Sequence, residues 1–297
     1  MKHALVYVQC LLLIFATPAI ADPILNIGRP STEINKEYER LMPIATYLAE
    51  HLKTEGITGG DVRLDGKNNI EATADLLQAG KIDLIFETPY SSLSLIRKAG
   101  AEPLTTIRRE GVTEYNSYIF VKKDSTITDL QDLKGKVLVF EDPGSTSAYH
   151  LPRAALEKSG LDLIPLASES AEVPADKIGY IFAGSELNTA GWVFFGKVDA
   201  GALSNLDWTS QDENPEAFRN RMRIIHETET VPRMLVLARP GLAAELKHSV
   251  TEVLVHMHES EAGRKALQKY RMNQFYPIDN PEAYVDRLEQ KLKHIRE

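Results

Sequence analysis

Along the first part of the chain, segments in which apolar positions recur every second residue alternate with segments in which they recur every three or four residues. Residues 24–28 alternate and end at a glycine, which predicts a strand, and apolar residues at three- and four-residue steps over 41–52 predict a helix. A short strand at 62–64, a helix at 70–78 and a strand at 82–86 follow. This order predicts a parallel sheet with helical crossovers, in which ligands bind beyond the carboxyl ends of the strands.

A second α/β pattern begins after residue 116. Strands are predicted at 117–122, 137–140, 163–166 and 199–203, with helices at 154–158 and 190–195. An apolar strand at 234–238 comes next, and beyond Pro240 only helices are predicted. One lobe is therefore interrupted by the other. We expect a first lobe at 22–116 plus 236–297 and a second lobe at 117–235, joined by two crossing strands, each lobe a mostly parallel sheet with flanking helices.

Residues 1–21 differ in character from the rest of the chain. A cationic start is followed by an apolar run at 4–16 and by Ala19-Ile20-Ala21, a small-x-small cleavage site. The run is too short to span a bilayer, which takes about 20 apolar residues. We expect a signal peptide that is cleaved after Ala21. Because Cys10, the one cysteine, lies within it, the mature chain would hold neither disulfides nor thiolate ligands, which suits a bacterial periplasm.

Composition limits the class of partner. The 297 residues are 43% hydrophobic and 26% charged, as in an ordinary soluble protein, and the formal net charge is −8. This charge argues against nucleic acid as the main partner, since binding along phosphates needs a broad basic surface. A site for an anion must therefore be local. We expect a soluble monomer.

The most informative stretch is Glu141-Asp142-Pro143-Gly144-Ser145-Thr146-Ser147, between a predicted strand and a predicted helix. Unpaired N–H groups at a helix N-terminus, together with hydroxyls, can hold an anion without any lysine or arginine. The alternative is a plain turn, because Asp-Pro-Gly is turn chemistry and a serine there can simply cap the helix. Pro152 indicates that a first helical turn ends near His150 and that a new helix begins at Pro152.

Further candidate ligand contacts lie at strand ends and at the first crossing. Glu87 and Tyr90 follow the third strand, and Tyr115 and Ser117 lie where the chain enters the second lobe. A tyrosine in a cleft can pack on a ligand and hydrogen-bond it, although ordinary half-buried packing is the alternative.

Two carboxylates also have more than one interpretation. Asp199 either holds a cationic group of the ligand or caps a strand, and the cap is slightly favoured. Glu186 is either a solvated loop acid or a second carboxylate in the cleft.

The sequence gives little support for catalysis. Ser145, His150 and Asp199 could be named as a nucleophile set, but no G-x-S-x-G elbow is present. His256 and His258 are two apart on a predicted helix, so they face away from each other and do not make a metal site. We expect no catalytic residue, no metal and no cofactor, with a hydrolase as the least favoured alternative.

Four segments resemble the phosphate-, phosphite- and phosphonate-type substrate-binding proteins of bacterial ABC transporters. They are 83–90, 114–121, 130–147 and 196–201, and the most specific part is DLKGK at 132–136 followed by FEDPGSTS at 140–147. The resemblance implies a type II periplasmic-binding-protein fold, with the ligand enclosed between two α/β lobes. It also implies that Ser145, Thr146 and Ser147 bind the anion, that Tyr90 and Tyr115 line the cleft, and that Glu186 and Asp199 bind an amino group if one is present.

Two positions depart from the family pattern. Glu186 stands where members that bind aminophosphonates often carry histidine, and Ala148 stands where glycine is expected before the aromatic Tyr149. A carboxylate at 186 would repel a dianion but suit a ligand with a cationic end. The resemblance implies capture of a small oxyanion, phosphonate or zwitterion and delivery to a membrane permease. The alternative is a periplasmic sensor that presents its closed form to a membrane receptor kinase.

Overall fold

The computed structural model describes residues 23–292, so the predicted signal peptide at 1–21 lies outside the described residues. The strands of this part are β1 (Ile24–Arg29), β2 (Gly59–Leu64), β3 (Leu84–Glu87), β4 (Glu102–Arg109), β5 (Glu114–Tyr115), β6 (Ser117–Lys122), β7 (Val137–Phe140), β8 (Asp162–Pro165), β9 (Lys177–Phe182), β10 (Ala200–Ser204), β11 (Met222–Glu227), β12 (Val231–Pro232), β13 (Leu235–Ala238) and β14 (Met272–Pro277). The α-helices are α1 (Ile34–His51), α2 (Ile70–Gln78), α3 (Pro89–Ala99), α4 (Leu151–Lys158), α5 (Glu186–Phe194), α6 (Asn205–Thr209), α7 (Glu216–Arg219), α8 (Ala244–His256), α9 (Glu261–Gln268) and α10 (Pro281–Lys291).

The strands form two six-stranded sheets and one short ribbon. The first sheet has the order β14-β4-β13-β3-β1-β2, and the second has the order β11-β6-β10-β7-β9-β8. The ribbon is the antiparallel pair β5–β12, where Val231 lies opposite Tyr115. The chain thus passes from the first sheet to the second at β5 and returns at β12.

Each sheet combines parallel and antiparallel pairs. β1 pairs in parallel with β2 and β3, but β13 runs antiparallel to both β3 and β4. In the second sheet β7 is parallel to β9 and β10, whereas β6 is antiparallel to β10 and β11. The predicted α/β fold of two sheets with flanking helices is confirmed. Each antiparallel pair of the two sheets includes β4, β6 or β13, the strands next to the crossings.

Apolar side chains cover both faces of each sheet, as expected for a sheet that lies between helices. In α1 the buried residues Leu41, Ile44 and Leu48 form one stripe that faces the first sheet. The helix approaches β2 closely, because a Cβ on Gly60 would lie 2.2 Å from the Ala45 carbonyl oxygen. Because glycine has no Cβ, position 60 allows α1 to lie this close to β2. The N-terminal turns of α1 border the site described below.

The prediction that only helices follow Pro240 is wrong. β14 forms the edge of the first sheet and pairs antiparallel with β4. Its register shifts between Met272 and Gln274, so the buried residues Met272 and Phe275 are three apart and the two-residue period is lost. An edge strand with a bulge carries little of the alternation from which strands are predicted.

The turn after β7 has an unusual helical geometry. Residues Thr146–His150 form a π-helical turn, in which the His150 N–H donates to the Ser145 carbonyl oxygen at 3.0 Å. α4 continues directly from Leu151, with Pro152 in its first turn. Proline has no N–H to donate to the carbonyl four residues before it, and the Ala148 oxygen instead accepts from the Glu141 N–H at 3.3 Å. The Ala148 oxygen, which Pro152 leaves without its helical donor, therefore bonds the turn to the end of β7.

Candidate functional site

A cavity of about 360 Å³ lies between the two sheets. Arg29 and Glu87 reach it from the carboxyl ends of β1 and β3, and Glu141 reaches it from the end of β7. This is the sheet edge at which α/β proteins bind ligands. The volume falls within the range of about 300–1,000 Å³ that is usual for small-molecule sites.

The side of the cavity that belongs to the first sheet is rich in guanidinium groups. We call it the basic wall; its five arginines and three glutamates are Arg29, Arg40, Arg109, Arg233, Arg271, Glu37, Glu87 and Glu110. Lys36 and Glu33 also line it and pair with each other at 2.8 Å. Among these described residues the basic wall therefore carries an excess of two positive charges when all the carboxyls are ionised.

Most of the arginines are held by ion pairs. Arg29 contacts Glu87 at 3.1 Å and Glu37 at 3.4 Å, and Arg40 contacts Glu37 at 2.8 Å. Burial raises the pKa of Glu37, but Arg29 and Arg40 outweigh it, so the pKa lies below its ordinary value. For Glu87 burial dominates and raises the pKa despite the contact with Arg29. Fixed pairs of this kind hold Arg29 in one position at the end of β1.

Arg109 differs from these because no described carboxylate lies within ion-pair distance of it. Its Nε donates to the Tyr270 carbonyl oxygen at 3.3 Å, and its guanidinium lies 5.3 Å from the centre of the Tyr270 ring. Loss of solvent lowers the pKa of Arg109, and the neighbouring Arg233 lowers it further. Glu110 acts in the opposite direction and raises the pKa of Arg109, and this one carboxylate also pairs with Arg233 and Arg271.

Two buried donors of the cavity residues, Arg29 Nε and Arg233 Nε, have no hydrogen-bond partner among the described residues. Arg233 is 6% exposed and its guanidinium lies over the Tyr115 ring, 4.6 Å from the ring centre. A buried donor without a partner costs about 1–3 kcal/mol, so native proteins rarely leave one unsatisfied.

The opposite side of the cavity is acidic. We call it the acidic wall; it consists of Glu141, Asp142, Glu186, Asp207 and Glu213, and none of the described residues that line this side is cationic. Burial raises the pKa of Glu186 to about 7, and Asp207 adds to the shift. Burial, with Glu186 close by, also raises the pKa of Glu141 well above its ordinary value. Glu141 and Glu186 therefore bind a proton more readily than an exposed glutamate does.

The Ser-Thr-Ser segment lies between the two walls, and two of its hydroxyls already have partners. Ser145 Oγ accepts from the Ala148 N–H at 3.1 Å, which caps the π-helical turn. Thr146 Oγ1 accepts from the Tyr90 N–H at 3.0 Å and donates to Thr88 Oγ1, also at 3.0 Å. Thr88 in turn donates to Glu87 Oε1 at 3.1 Å. The turn is thus bonded to the start of α3 across the cavity.

Other contacts join the same two elements. Ser91 Oγ donates to the Gly144 carbonyl oxygen at 3.3 Å. The Tyr90 and His150 rings stack with their centres 3.2 Å apart. His150 Nε2 donates to the Pro143 carbonyl oxygen at 2.7 Å, and burial lowers the pKa of His150 to about 3, so this ring is neutral.

The structure brings six of the predicted site residues to the cavity: Glu87, Tyr115, Ser145, Thr146, Ser147 and Glu186. Three others, Tyr90, Ser117 and Asp199, lie outside the cavity wall that the described residues form. The Ser117 hydroxyl donates to the Leu203 carbonyl oxygen at 3.4 Å, and Asp199 Oδ2 accepts from the Val137 N–H at 2.9 Å. Asp199 thus joins the start of β7 to the start of β10, as the capping interpretation expects.

Sequence reasoning missed the arginines of the basic wall. Arg29 carried a usable signal, since it directly follows the glycine at the end of the first predicted strand. Arg109 ends β4, which was not predicted, and Arg233 follows the two-residue strand β12. For these two the chain carries no local pattern.

Comparison with known proteins identifies the family. The family model for the periplasmic substrate-binding proteins of phosphonate ABC transporters matches residues 29–284. The chain belongs to this family. Its members are substrate-binding proteins of transporters and not enzymes, which confirms that prediction. The family is periplasmic, and within residues 23–292 no helix has the length and apolar character needed to cross a membrane.

Individual relatives and solved structures show the extent of the similarity. The phosphate-import protein PhnD of Mycolicibacterium smegmatis is 30% identical over 217 residues, which are 71% of this chain but only 65% of that protein. The structure of XAC2383 from Xanthomonas citri, solved with chloride and with ATP, covers 92% of this chain and 98% of its own at 28% identity, with TM-scores of 0.87 and 0.85. PhnD1 from Prochlorococcus marinus, in complex with methylphosphonate, has a TM-score of 0.68 at 17% identity, covering 93% of this chain and all of its own. This last similarity shows the type II fold alone.

Proposed function

We propose that the protein captures a small phosphonate-like oxyanion in the cavity between the sheets and delivers it to a membrane ABC permease. The observation that carries the proposal is the excess positive charge of the basic wall, enclosed in a cavity of small-molecule size. Two relatives support an oxyanion of phosphorus: one is named for phosphate import, and another was solved with ATP. A ligand that also has a cationic end suits the acidic wall, where Glu186 would accept it.

The binding cycle we propose is a closure of two lobes. Residues 22–116 with 236–297 form the first lobe, residues 117–235 form the second, and the hinge lies at β5 and β12. The bonds from Thr146 to the start of α3 join one lobe to the other, so they would exist only in the closed form. A ligand stabilises that form only if it binds it more tightly than the open form.

Export and delivery complete the proposal. The chain would be cleaved after Ala21, act as a periplasmic monomer and dock on the permease in its closed form. Small-angle scattering of the chain from residue 22 onward should show compaction when methylphosphonate is added. An unchanged radius of gyration with bound methylphosphonate would count against closure.

A thermal-shift screen tests the ligand class. Phosphate, phosphite, methylphosphonate, 2-aminoethylphosphonate and ATP should be compared with neutral sugars and with arginine at equal concentrations. A ligand that binds only the folded state raises the free energy of unfolding, by about 2.7 kcal/mol at a hundred times its Kd, and so raises the melting temperature. We expect at least one phosphorus oxyanion to raise it and the neutral sugars to leave it unchanged. Stabilisation by a sugar or by arginine alone would overturn the proposal.

Uptake by cells tests delivery. Deletion of the gene should abolish uptake of the oxyanion that the screen selects, and the wild-type gene should restore it. Unchanged uptake together with confirmed binding would separate binding from transport and contradict delivery to a permease.

A further inference from the structure

We infer that the ligand carries a second anionic group, a carboxylate, which binds among Arg109, Arg233 and Arg271 on the basic wall. We call these three arginines, together with Glu110, the Glu110 cluster; all four residues line the cavity. The inference rests on the proposed function and deepens it, because it names the class of ligand. The first anionic group, the phosphonate, lies at the turn after β7, as the resemblance to the family implies.

Charge is the first argument. The ion pairs of Arg29 and Arg40 match two arginines with two glutamates. The excess of two positive charges on the basic wall therefore belongs to the Glu110 cluster, in which three guanidinium groups share one cavity carboxylate. Arg271 also contacts Asp212 at 3.5 Å, but the Asp212 side chain is 76% exposed. Even when Asp212 is counted, three cations face two anions, and one further carboxylate would balance them.

A buried donor is the second argument. Arg233 is 6% exposed, and its Nε has no hydrogen-bond partner among the described residues. Its ion pair with Glu110 measures 3.5 Å and is longer than the pair of Glu110 with Arg271, which measures 3.1 Å. Arginine presents its N–H donors as a planar fork that matches the two oxygens of a carboxylate. A ligand carboxylate would therefore supply the acceptor that this buried guanidinium lacks.

Backbone conformation is the third argument. Glu110 and Arg271 both have a positive φ of 54°, in the left-handed region that favours glycine. The two residues are bonded to each other, because the Glu110 N–H donates to the Arg271 carbonyl oxygen at 2.9 Å. Residues other than glycine that are kept in this region cluster at ligand sites, where the surrounding structure holds them. The chain thus keeps a charged side chain at both positions although glycine would be less strained.

The Glu110 cluster lies one tyrosine ring away from the turn after β7. The Arg233 guanidinium lies over the Tyr115 ring, 4.6 Å from the ring centre, and the Tyr115 hydroxyl is hydrogen-bonded to Ser147 and Thr146. A ligand that follows the Tyr115 side chain would therefore reach both the turn and the cluster with a short carbon chain. The acidic wall would repel a carboxylate, so such a ligand has one favourable orientation.

Calorimetric titration with a matched pair of ligands tests the inference. 3-Phosphonopropionate and propylphosphonate have carbon chains of equal length, and only the first has a carboxylate. We expect the wild type to bind 3-phosphonopropionate about tenfold to a hundredfold more tightly than propylphosphonate, as for a gain of charge-assisted hydrogen bonds to arginine. The measured quantity is the ratio of the two dissociation constants.

Three variants show whether the Glu110 cluster produces this ratio. Arg233→Gln should reduce it to less than about threefold, because the fork that holds the carboxylate is lost. Since Arg233 is buried, Arg271→Gln is a second variant that the fold should tolerate; its side chain is 51% exposed, and the ratio should fall at least about threefold. Arg108→Gln is the matched control and should keep the ratio, because Arg108 lies on β4 beside Arg109 but is exposed and outside the described cavity wall.

The outcomes separate this inference from the proposed function. If the wild type binds neither propylphosphonate nor any oxyanion of the thermal-shift screen, the proposed function fails. If it binds 3-phosphonopropionate no more tightly than propylphosphonate, the inference alone is overturned. The same holds if the ratio survives in both Arg233→Gln and Arg271→Gln, because the carboxylate then lies away from the Glu110 cluster.

Discussion

The two walls of the cavity manage buried charge in opposite ways. On the basic wall Arg29, Glu37 and Glu87 form fixed ion pairs, and a net positive charge remains. On the acidic wall no described cavity residue supplies a cation, and burial raises the pKa of Glu141 and Glu186 instead. Arginine stays protonated near neutral pH, whereas Glu186, with a pKa of about 7, titrates there. The charge of the basic wall is thus permanent, and that of the acidic wall varies with pH and with what is bound.

The largest expected effect comes from breaking the ion pairs of the basic wall. Arg29→Gln leaves Glu37 and Glu87, which have 4% of their side chains exposed, without this cation. Removing one partner of a buried pair costs about 3–5 kcal/mol, so the free energy of unfolding measured in urea should fall by that order. The control is Arg63→Gln on the neighbouring strand β2, where 57% of the side chain is exposed and the loss should stay within about 0.5 kcal/mol. Equal losses in the two variants would contradict the difference between paired and surface arginines.

The free energy of unfolding should depend on pH because a carboxyl of the acidic wall titrates near neutral pH. A folded-state pKa of about 7 for Glu186 means that the native protein keeps a proton which the unfolded chain releases above about pH 4.5. The contribution of Glu186 to stability therefore falls as the pH rises through this window. Glu186→Gln removes the effect, and since Glu186 is half-buried we expect the variant to be about 1–3 kcal/mol more stable than the wild type at pH 8.

Urea unfolding at pH 4.5 and pH 8 checks this prediction. The difference between the variant and the wild type should be small at the lower pH and full at the higher one. His150, whose lowered pKa gives the opposite pH dependence, is present in both proteins and cancels in the comparison. A difference that is the same at both pH values would show that Glu186 does not titrate as described.

The smallest effect is expected at the turn between the walls. Ser145→Ala removes the hydroxyl that caps the π-helical turn, and the loss of such a cap costs about 1 kcal/mol. If the same hydroxyl also donates to the bound oxyanion, the affinity for methylphosphonate should fall about tenfold to a hundredfold. Thermal unfolding and calorimetry on one preparation measure both quantities. Unchanged affinity together with the loss of stability would show that the hydroxyl only caps the turn.

The fold was predictable from sequence because most of its elements are encoded locally. The apolar stripe of α1 and the continuous apolar runs of β3 and β7 are visible in the sequence, and the Asp-Pro-Gly turn marks the end of β7. The strands β4, β9, β11 and β14 were missed. Of these, β4, β11 and β14 pair with strands far along the chain, and their pairing contains a bulge. Tertiary pairing, and not local propensity, stabilises such strands.

The candidate site was predictable only where it follows a strand end. Ser145 to Ser147 and Glu87 come directly after predicted strands, and the structure places them at the cavity. Arg109 and Arg233 are separated by more than a hundred residues along the chain, and only the meeting of β4 with the second crossing brings them together. The sequence also cannot show that the Thr146 hydroxyl donates to Thr88, because that bond depends on the distance between the π-helical turn and the start of α3.

The crystal structure of the protein with 2-aminoethylphosphonate tests the central claim most directly, because that molecule has an anionic and a cationic end. The account predicts that the phosphonate contacts the arginines of the basic wall and that the ammonium points to Glu186 on the acidic wall. A phosphonate that contacts no arginine of the basic wall, or an ammonium that lies away from the acidic wall, would contradict it.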